Sequence, residues 1–258
     1  MDLGIAGRTA VVCASSKGLG KGCARALAEA GCRVIINGRD AAALTATADE
    51  LRGMGATIVA VVADVGTPEG RRALLEAAGD VDILVNNNAG PPFKDWTEID
   101  RDAMIAGLNA NMITPIEMIK GVIDGMTRRG FGRIVNITSS SVKAPISGLD
   151  LSSGARAGLT AFLAGVARTV ADKNVTINQI MPGAFDTDRL RAGFQRTAKL
   201  AGMSAEEAAA QRARGIPAKR FGTPEEFGAL CAFLCSAQAG YITGQSILID
   251  GGLVNTTL

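Results

Sequence analysis

Histidine is absent from this 258-residue chain, and tyrosine and tryptophan occur once each, at Tyr241 and Trp96. Without imidazole, acid–base chemistry near neutral pH must use a carboxylate, lysine, cysteine, the one tyrosine or a bound water. The five cysteines (Cys13, Cys23, Cys32, Cys231, Cys235) make no CxxC pair. Cys231 and Cys235 share one face of a predicted helix, but two thiols with no histidine make a poor zinc site, so no metal is expected. Buried structural thiols in a reduced, cytoplasmic setting are expected instead. No apolar run reaches the roughly 18 residues of a membrane span, and the start lacks the basic-then-apolar pattern of a secretory signal. A formal charge of +2 gives no reason to expect nucleic acid or an anionic membrane as partner.

What is there is apolar and periodic. Hydrophobic residues make up 47% of the chain, and the length fits one large α/β domain, read here as residues 1–258 without a linker or repeat. Short apolar runs alternate with amphipathic stretches. Strands are predicted at 9–13, 33–37, 56–63, 83–87, 133–138, 175–181 and 246–250. Helices are predicted from the turn after the first strand to about Gly31, then at 41–54, 69–78, 101–128, 151–171, 189–214 and 224–236. Seven strands separated mostly by helices imply a Rossmann-type, doubly wound parallel sheet with helices on both faces. In such sheets a ligand binds beyond the carboxyl ends of the strands. The residues to read are therefore 13–20, 38–39, 64–65, 87–90, 138–143 and 182–187.

The first of these loops reads Cys13-Ala14-Ser15-Ser16-Lys17-Gly18-Leu19-Gly20 and opens a helix. Glycines there let the backbone approach a pyrophosphate, whose charge a helix N-terminus favours. The loop resembles the TGxxxGxG loop of short-chain dehydrogenases/reductases, with Ala14 where the first glycine usually stands. Further stretches resemble the same family, in its order, along nearly the whole chain. Asp64-Val65 is similar to the pair that contacts adenine, and Asn86-Asn87-Asn88-Ala89-Gly90 to its NNAG turn with one extra residue. Pro182-Gly183 with Thr187 is similar to PGxxxT beside the nicotinamide, and residues 241–252 to the C-terminal signature. Counting back from Asn111 favours Asn87 as the second asparagine of the turn, with Asn88 and Ala89 where Ala and Gly are usual; an insertion before Asn87 is the other register.

The resemblance implies a nicotinamide dinucleotide held by Ser15, Ser16, Lys17, Gly18, Leu19, Gly20, Arg39, Asp64, Val65, Asn87, Asn88, Ala89, Arg156, Pro182, Gly183 and Thr187. NAD-preferring members carry an acid at the end of the second strand. Here Gly38 and Arg39 stand there, with Lys17 in the loop, which suits a 2′-phosphate and makes NADP(H) the expected cofactor over NAD(H).

The family's Asn–Ser–Tyr–Lys tetrad is half present. Asn111 and Ser139 match, but Ser152 occupies the tyrosine position and Arg156 the lysine position. An arginine can hydrogen-bond a ribose but does not relay protons, and a serine hydroxyl is a poor acid. Lys143, four residues after Ser139, is the candidate proton donor. Ser16–Gly20, Ser141-Val142-Lys143-Ala144-Pro145 and the Ser/Arg pair resemble a divergent subgroup similar to 3-oxoacyl-(acyl carrier protein) reductases. The implied activity is interconversion of a small carbonyl and alcohol. A dinucleotide-binding protein with little catalysis, and a non-redox lyase or isomerase, are the alternatives. The basic segment 188–215 falls where relatives place a lid and would suit an anionic or carrier-linked substrate. The family also implies a homotetramer or dimer, built through the two long helices 101–128 and 151–171 and the last strand.

Overall fold

The computed structural model describes residues 2–256. Its strands are β1 (Thr9–Val12), β2 (Arg33–Gly38), β3 (Ile58–Val62), β4 (Ile83–Asn86), β5 (Gly132–Ile137), β6 (Val175–Pro182) and β7 (Ser246–Ile249). All pair in parallel, in the order β3-β2-β1-β4-β5-β6-β7. The chain thus winds outward from β1 to one edge, returns, and winds to the other. The crevice between the carboxyl ends of β1 and β4 is where that order reverses.

Nine helices accompany the strands among the described residues: α1 (Gly18–Glu29), α2 (Ala41–Gly53), α3 (Pro68–Ala78), α4 (Arg101–Leu108), α5 (Thr114–Arg129), α6 (Asp150–Val170), α7 (Asp188–Ala201), α8 (Ala205–Arg214) and α9 (Pro224–Leu234). Side chains alternate through the sheet. Ala10, Val12, Val34, Ile36, Ile83 and Val85 face a core shared with α1, α2 and α9. Val11, Ile35, Leu84 and Ile134 face the opposite core, with α3, α5 and α6. Burial on both faces is why these strands read as unbroken apolar runs. All five cysteines are buried and unpaired.

Two expected helices are broken. The stretch 101–128 is α4 and α5 joined by a π-helical turn, Asn109–Ile113. Pro115 has no N–H to give the Asn111 carbonyl, so regular α-helical bonding fails there. The stretch 189–214 is α7 and α8: Gly202 closes α7 with φ +66°, and Ser204 with Glu207 forms a capping box that starts α8. The strands differ from expectation only at their ends, most at β3, which starts at Ile58 rather than residue 56.

Candidate active site

The loop after β1 is knit to its neighbours by neutral hydrogen bonds. The Ala14 N–H donates to Asn37 Oδ1 (2.6 Å) and its carbonyl accepts from Asn87 Nδ2 (3.0 Å). Ser15 is fully buried; its hydroxyl donates to the Val12 carbonyl (2.7 Å) and accepts from the Asn37 N–H (3.1 Å). That side chain holds the loop in shape rather than facing a ligand. A Cβ at Gly20 would lie 2.5 Å from the Ala14 carbonyl oxygen and 2.9 Å from Asn87 Nδ2, so only glycine lets the loop close on α1. The N-terminus of α1 has no side-chain cap and no acid in its first turn, which leaves its N–H groups and partial positive charge open to an anion. These features fit a dinucleotide pyrophosphate. Thr187 faces the same loop: its Cγ2 would stand 3.6 Å from a Cβ at Gly18. Burial pushes the Cys13 thiol up to about 12, which removes it as an acid or nucleophile near neutral pH.

At the end of β2 no acid faces the cleft. A Cβ at Gly38 would meet Ser16 at 3.0 Å. The next acid, Asp40, caps α2 by accepting from the Ala43 N–H (3.1 Å). Lys17 is exposed, and Arg39, 71% exposed, lies 3.7 Å from Asp64. Such an exposed pair is weak and readily exchanged. Asp64 also accepts from the Gly66 N–H, while Val65 is buried beside the cleft.

β4 pairs without a bulge through Asn86, opposite Asn136. Asn87 is then the first residue after the strand. Asn88 Nδ2 donates to the Ala110 carbonyl (3.1 Å), and Asn111 Nδ2 to the Ala89 carbonyl (3.2 Å). The π turn thereby holds the Asn turn in place. Beneath lies a polar belt that the sequence did not reveal. Asn86 donates to Asn136 Oδ1 (2.9 Å), Asn136 to the Asn178 carbonyl (3.3 Å), and Asn178 to the Ile242 carbonyl (2.7 Å). Asparagine inside otherwise apolar strands was the available signal. A cavity of about 10 Å³, lined by Asn86, Asn88, Asn111, Asn136 and Arg156 among others, sits between this belt and the site. That is about the room one water needs.

On the catalytic side, Ser139 opens a short 3-10 turn after β5, and its Oγ accepts from the Ser141 N–H (3.1 Å) and hydroxyl (2.9 Å). Ser153 donates to Ser141 (2.9 Å), which ties α6 to that turn. One turn of α6 separates Ser152 from Arg156, and Arg156 Nε donates back to Ser152 Oγ (3.1 Å). Ser152 in turn stands 3.4 Å from Asn111 Oδ1, so Asn111, Ser152 and Arg156 form one chain of contacts. Arg156 Nη1 also donates to the Ile137 and Thr138 carbonyls (2.6 and 3.2 Å). Burial, and then the nearby charge of Arg189, lower the Arg156 pKa from 12.5 to about 10. The guanidinium is therefore charged throughout the physiological range. Lys143 is exposed at the end of the 3-10 turn. Tyr241 is fully exposed on the turn that precedes β7, toward the amino ends of the strands and away from this site. Pro182 ends β6, and Gly183 packs against Asp250 at the end of β7. No cluster of metal-binding side chains occurs among the described residues, and no helix there is long and apolar enough to cross a membrane.

This combination of doubly wound sheet, glycine loop and Asn–Ser site is that of a nicotinamide-dependent oxidoreductase. Residues 13–254 match the sequence profile of the family described as enoyl-(acyl carrier protein) reductase. Among relatives, the NADPH-dependent reductase BacG of Bacillus subtilis is 31% identical over 251 residues, covering 95% of this chain and 97% of that one. The 3-oxoacyl-[acyl-carrier-protein] reductase FabG of Vibrio cholerae is 32% identical over 266 residues, covering 97% and 99%. The crystal structure of L-sorbose reductase from Gluconobacter frateurii, complexed with NADPH and L-sorbose, superposes with a TM-score of 0.94 at 29% identity, covering 99% of this chain and all of that one. The chain belongs to the short-chain dehydrogenase/reductase family.

Proposed function

We propose that this oxidoreductase is NADP(H)-dependent and interconverts a small carbonyl and an alcohol, in the manner of the 3-oxoacyl reductases it resembles. One observation carries the cofactor choice. Lys17 and Arg39 flank the end of β2, Gly38 leaves no acid there, and Asp40 is turned away to cap α2. A ribose 2′-phosphate gains from two cations at that place, and the one carboxylate near them, Asp64, holds Arg39 only in a weak, exposed pair that the phosphate can replace. Ser16, Lys17, Gly18, Leu19 and Gly20 would hold the phosphates; Asp64, Val65, Asn87, Asn88 and Ala89 would line the adenosine and ribose; Arg156, Pro182, Gly183 and Thr187 would hold the nicotinamide end.

Bound NADPH supplies a hydride to the carbonyl carbon, and the oxygen then needs a proton. Ser139 and Asn111 position the substrate and the Ser152–Arg156 pair. Arg156 holds a ribose without relaying protons, and Lys143 delivers the proton to the substrate oxygen. Related proteins named 3-oxoacyl-[acyl-carrier-protein] reductase and acetoacetyl-CoA reductase support the substrate type. We further propose assembly into a dimer or tetramer through the helices at 101–128 and 151–171, where Met104, Ile105, Leu108 and Phe162 are exposed.

Calorimetric titration with NADPH and NADH tests the cofactor assignment. NADPH should bind at least about tenfold more tightly, and Arg39→Ala should erase most of that preference, as expected for loss of a charge-assisted contact. Equal affinity for both cofactors would overturn it, and a preference that survives Arg39→Ala would take the phosphate contact away from Arg39.

A further inference from the structure

The Arg189 guanidinium stands over the Asn turn, and neither it nor Arg156 behind that turn is paired with an acid. Arg189, in the first turn of α7, reaches back over the Asn turn: a Cβ at Gly90 would lie 2.9 Å from its Nη1 and 3.0 Å from its Nη2. Any larger residue at 90 would displace it. Arg189 is close enough to Arg156 for its charge to act on that group. Among the described residues, no carboxylate oxygen lies within 4.0 Å of either guanidinium. The acids nearest to Arg189 in sequence, Asp186 and Asp188, are both engaged by Arg191. Arg156 gives its bonded N–H groups to neutral acceptors only. Arg196, seven residues on from Arg189, lies over the Phe93 ring at 5.9 Å and adds positive charge above the same loop.

Each of these features is unfavourable alone. Like charges repel, and a cation in the first turn of a helix opposes the helix dipole. An anion held by Arg189 over the Asn turn would offset this excess of positive charge, and the planar fork of Arg189 suits a carboxylate or phosphate. We infer that Arg189, with the charge of Arg156 behind it, forms a seat for an acid group of the substrate, a carboxylate or phosphate carried close to the reacting carbonyl. The inference rests on the reductase reading above and narrows its substrate to acids. The dinucleotide's own pyrophosphate is the other source of anionic oxygen at this place.

Acetoacetate and methyl acetoacetate present the same 3-oxo group with and without a negative charge. Wild-type protein should favour the acid in kcat/KM by about 10- to 100-fold, the range for a charged hydrogen-bonded pair. Arg189→Gln should collapse that ratio, and Arg189→Lys should restore part of it. In calorimetry on protein saturated with NADP+, malonate should bind to wild type and not to Arg189→Gln, while NADPH affinity changes less than about threefold. Arg189 is exposed, so the variants should fold. A tenfold loss of NADPH affinity with the acid-to-ester ratio intact would give the seat to the cofactor and overturn the proposal. Equal malonate binding by wild type and variant, or a wild-type preference for the ester, would overturn it too. If neither ketone is reduced but malonate binds through Arg189, the seat stands and the reductase reading falls.

Discussion

The two sides of the cleft depart from the family pattern in opposite ways. On the dinucleotide side the departure is Ala14 in a glycine position, at φ +46°. Its N–H and carbonyl are both satisfied by asparagine side chains, so a local strain is absorbed by neutral contacts. On the catalytic side the departures are Ser152 and Arg156. These also hydrogen-bond well, but they remove the usual acid and put a cation that does not give up its proton in the lysine position, where the charge of Arg189 acts on it. A changed residue whose effect ends within its own hydrogen bonds leaves function alone. One that leaves uncompensated charge alters which ligand the site favours.

The largest expected effect lies on the catalytic side. If Lys143 supplies the proton, Lys143→Met should lower turnover by about 10²-fold or more, the usual worth of a general acid. NADPH affinity should hold, because Lys143 is an exposed residue outside the glycine loop. Steady-state kinetics and calorimetry on the same preparation separate the two quantities. Unchanged turnover would remove Lys143 from the mechanism.

The next effect contrasts one glycine from each side. Gly20→Ala would drive a methyl group to 2.5 Å from the Ala14 carbonyl, whereas Gly154 on α6 has nothing within 4 Å of its would-be Cβ. Gly20→Ala should cost about 2–3 kcal/mol by overpacking against backbone and should weaken dinucleotide binding. Gly154→Ala should stabilise by about 0.5–1 kcal/mol through better helix propensity. Denaturant melts of the two variants should therefore move in opposite directions. A tolerated Gly20→Ala would mean that the loop is less tightly closed than its contacts indicate.

The strands were legible because a parallel sheet buried on both faces leaves apolar runs of strand length between turn residues. The helix breaks were less so. Pro115 carries its signal in what it lacks, an N–H, and a proline in the first turn of a helix is otherwise unremarkable. Gly202 and the Ser204–Glu207 capping box were readable punctuation within a basic, alanine-rich stretch that looked continuous. Within the site, residues in loops after strands could be found by spacing. Asn136 and Asn178 were not, since an asparagine within a strand makes sense only once strand register sets it beside the next. Arg189 was visible as one of several lid cations; its distinction is tertiary, arising from the approach to Gly90 and the capture of its acidic neighbours by Arg191.

The smallest effect tests whether the dinucleotide side is as self-contained as its hydrogen bonds indicate. An alanine in the left-handed region costs roughly 1–2 kcal/mol, which glycine avoids, while glycine gives back about 0.4–1 kcal/mol through its freer unfolded chain. Ala14→Gly should therefore gain about 0.5–1 kcal/mol, a rise of roughly 2–4 °C in Tm per kcal/mol for a chain near this size. The bonds to the Asn37 and Asn87 side chains use only the backbone N–H and carbonyl of residue 14, so the substitution preserves them. NADPH affinity should stay within about twofold. A gain in stability with a clear loss of affinity would mean that the alanine methyl contacts the cofactor, and the departure at Ala14 would then belong with those at Ser152 and Arg156.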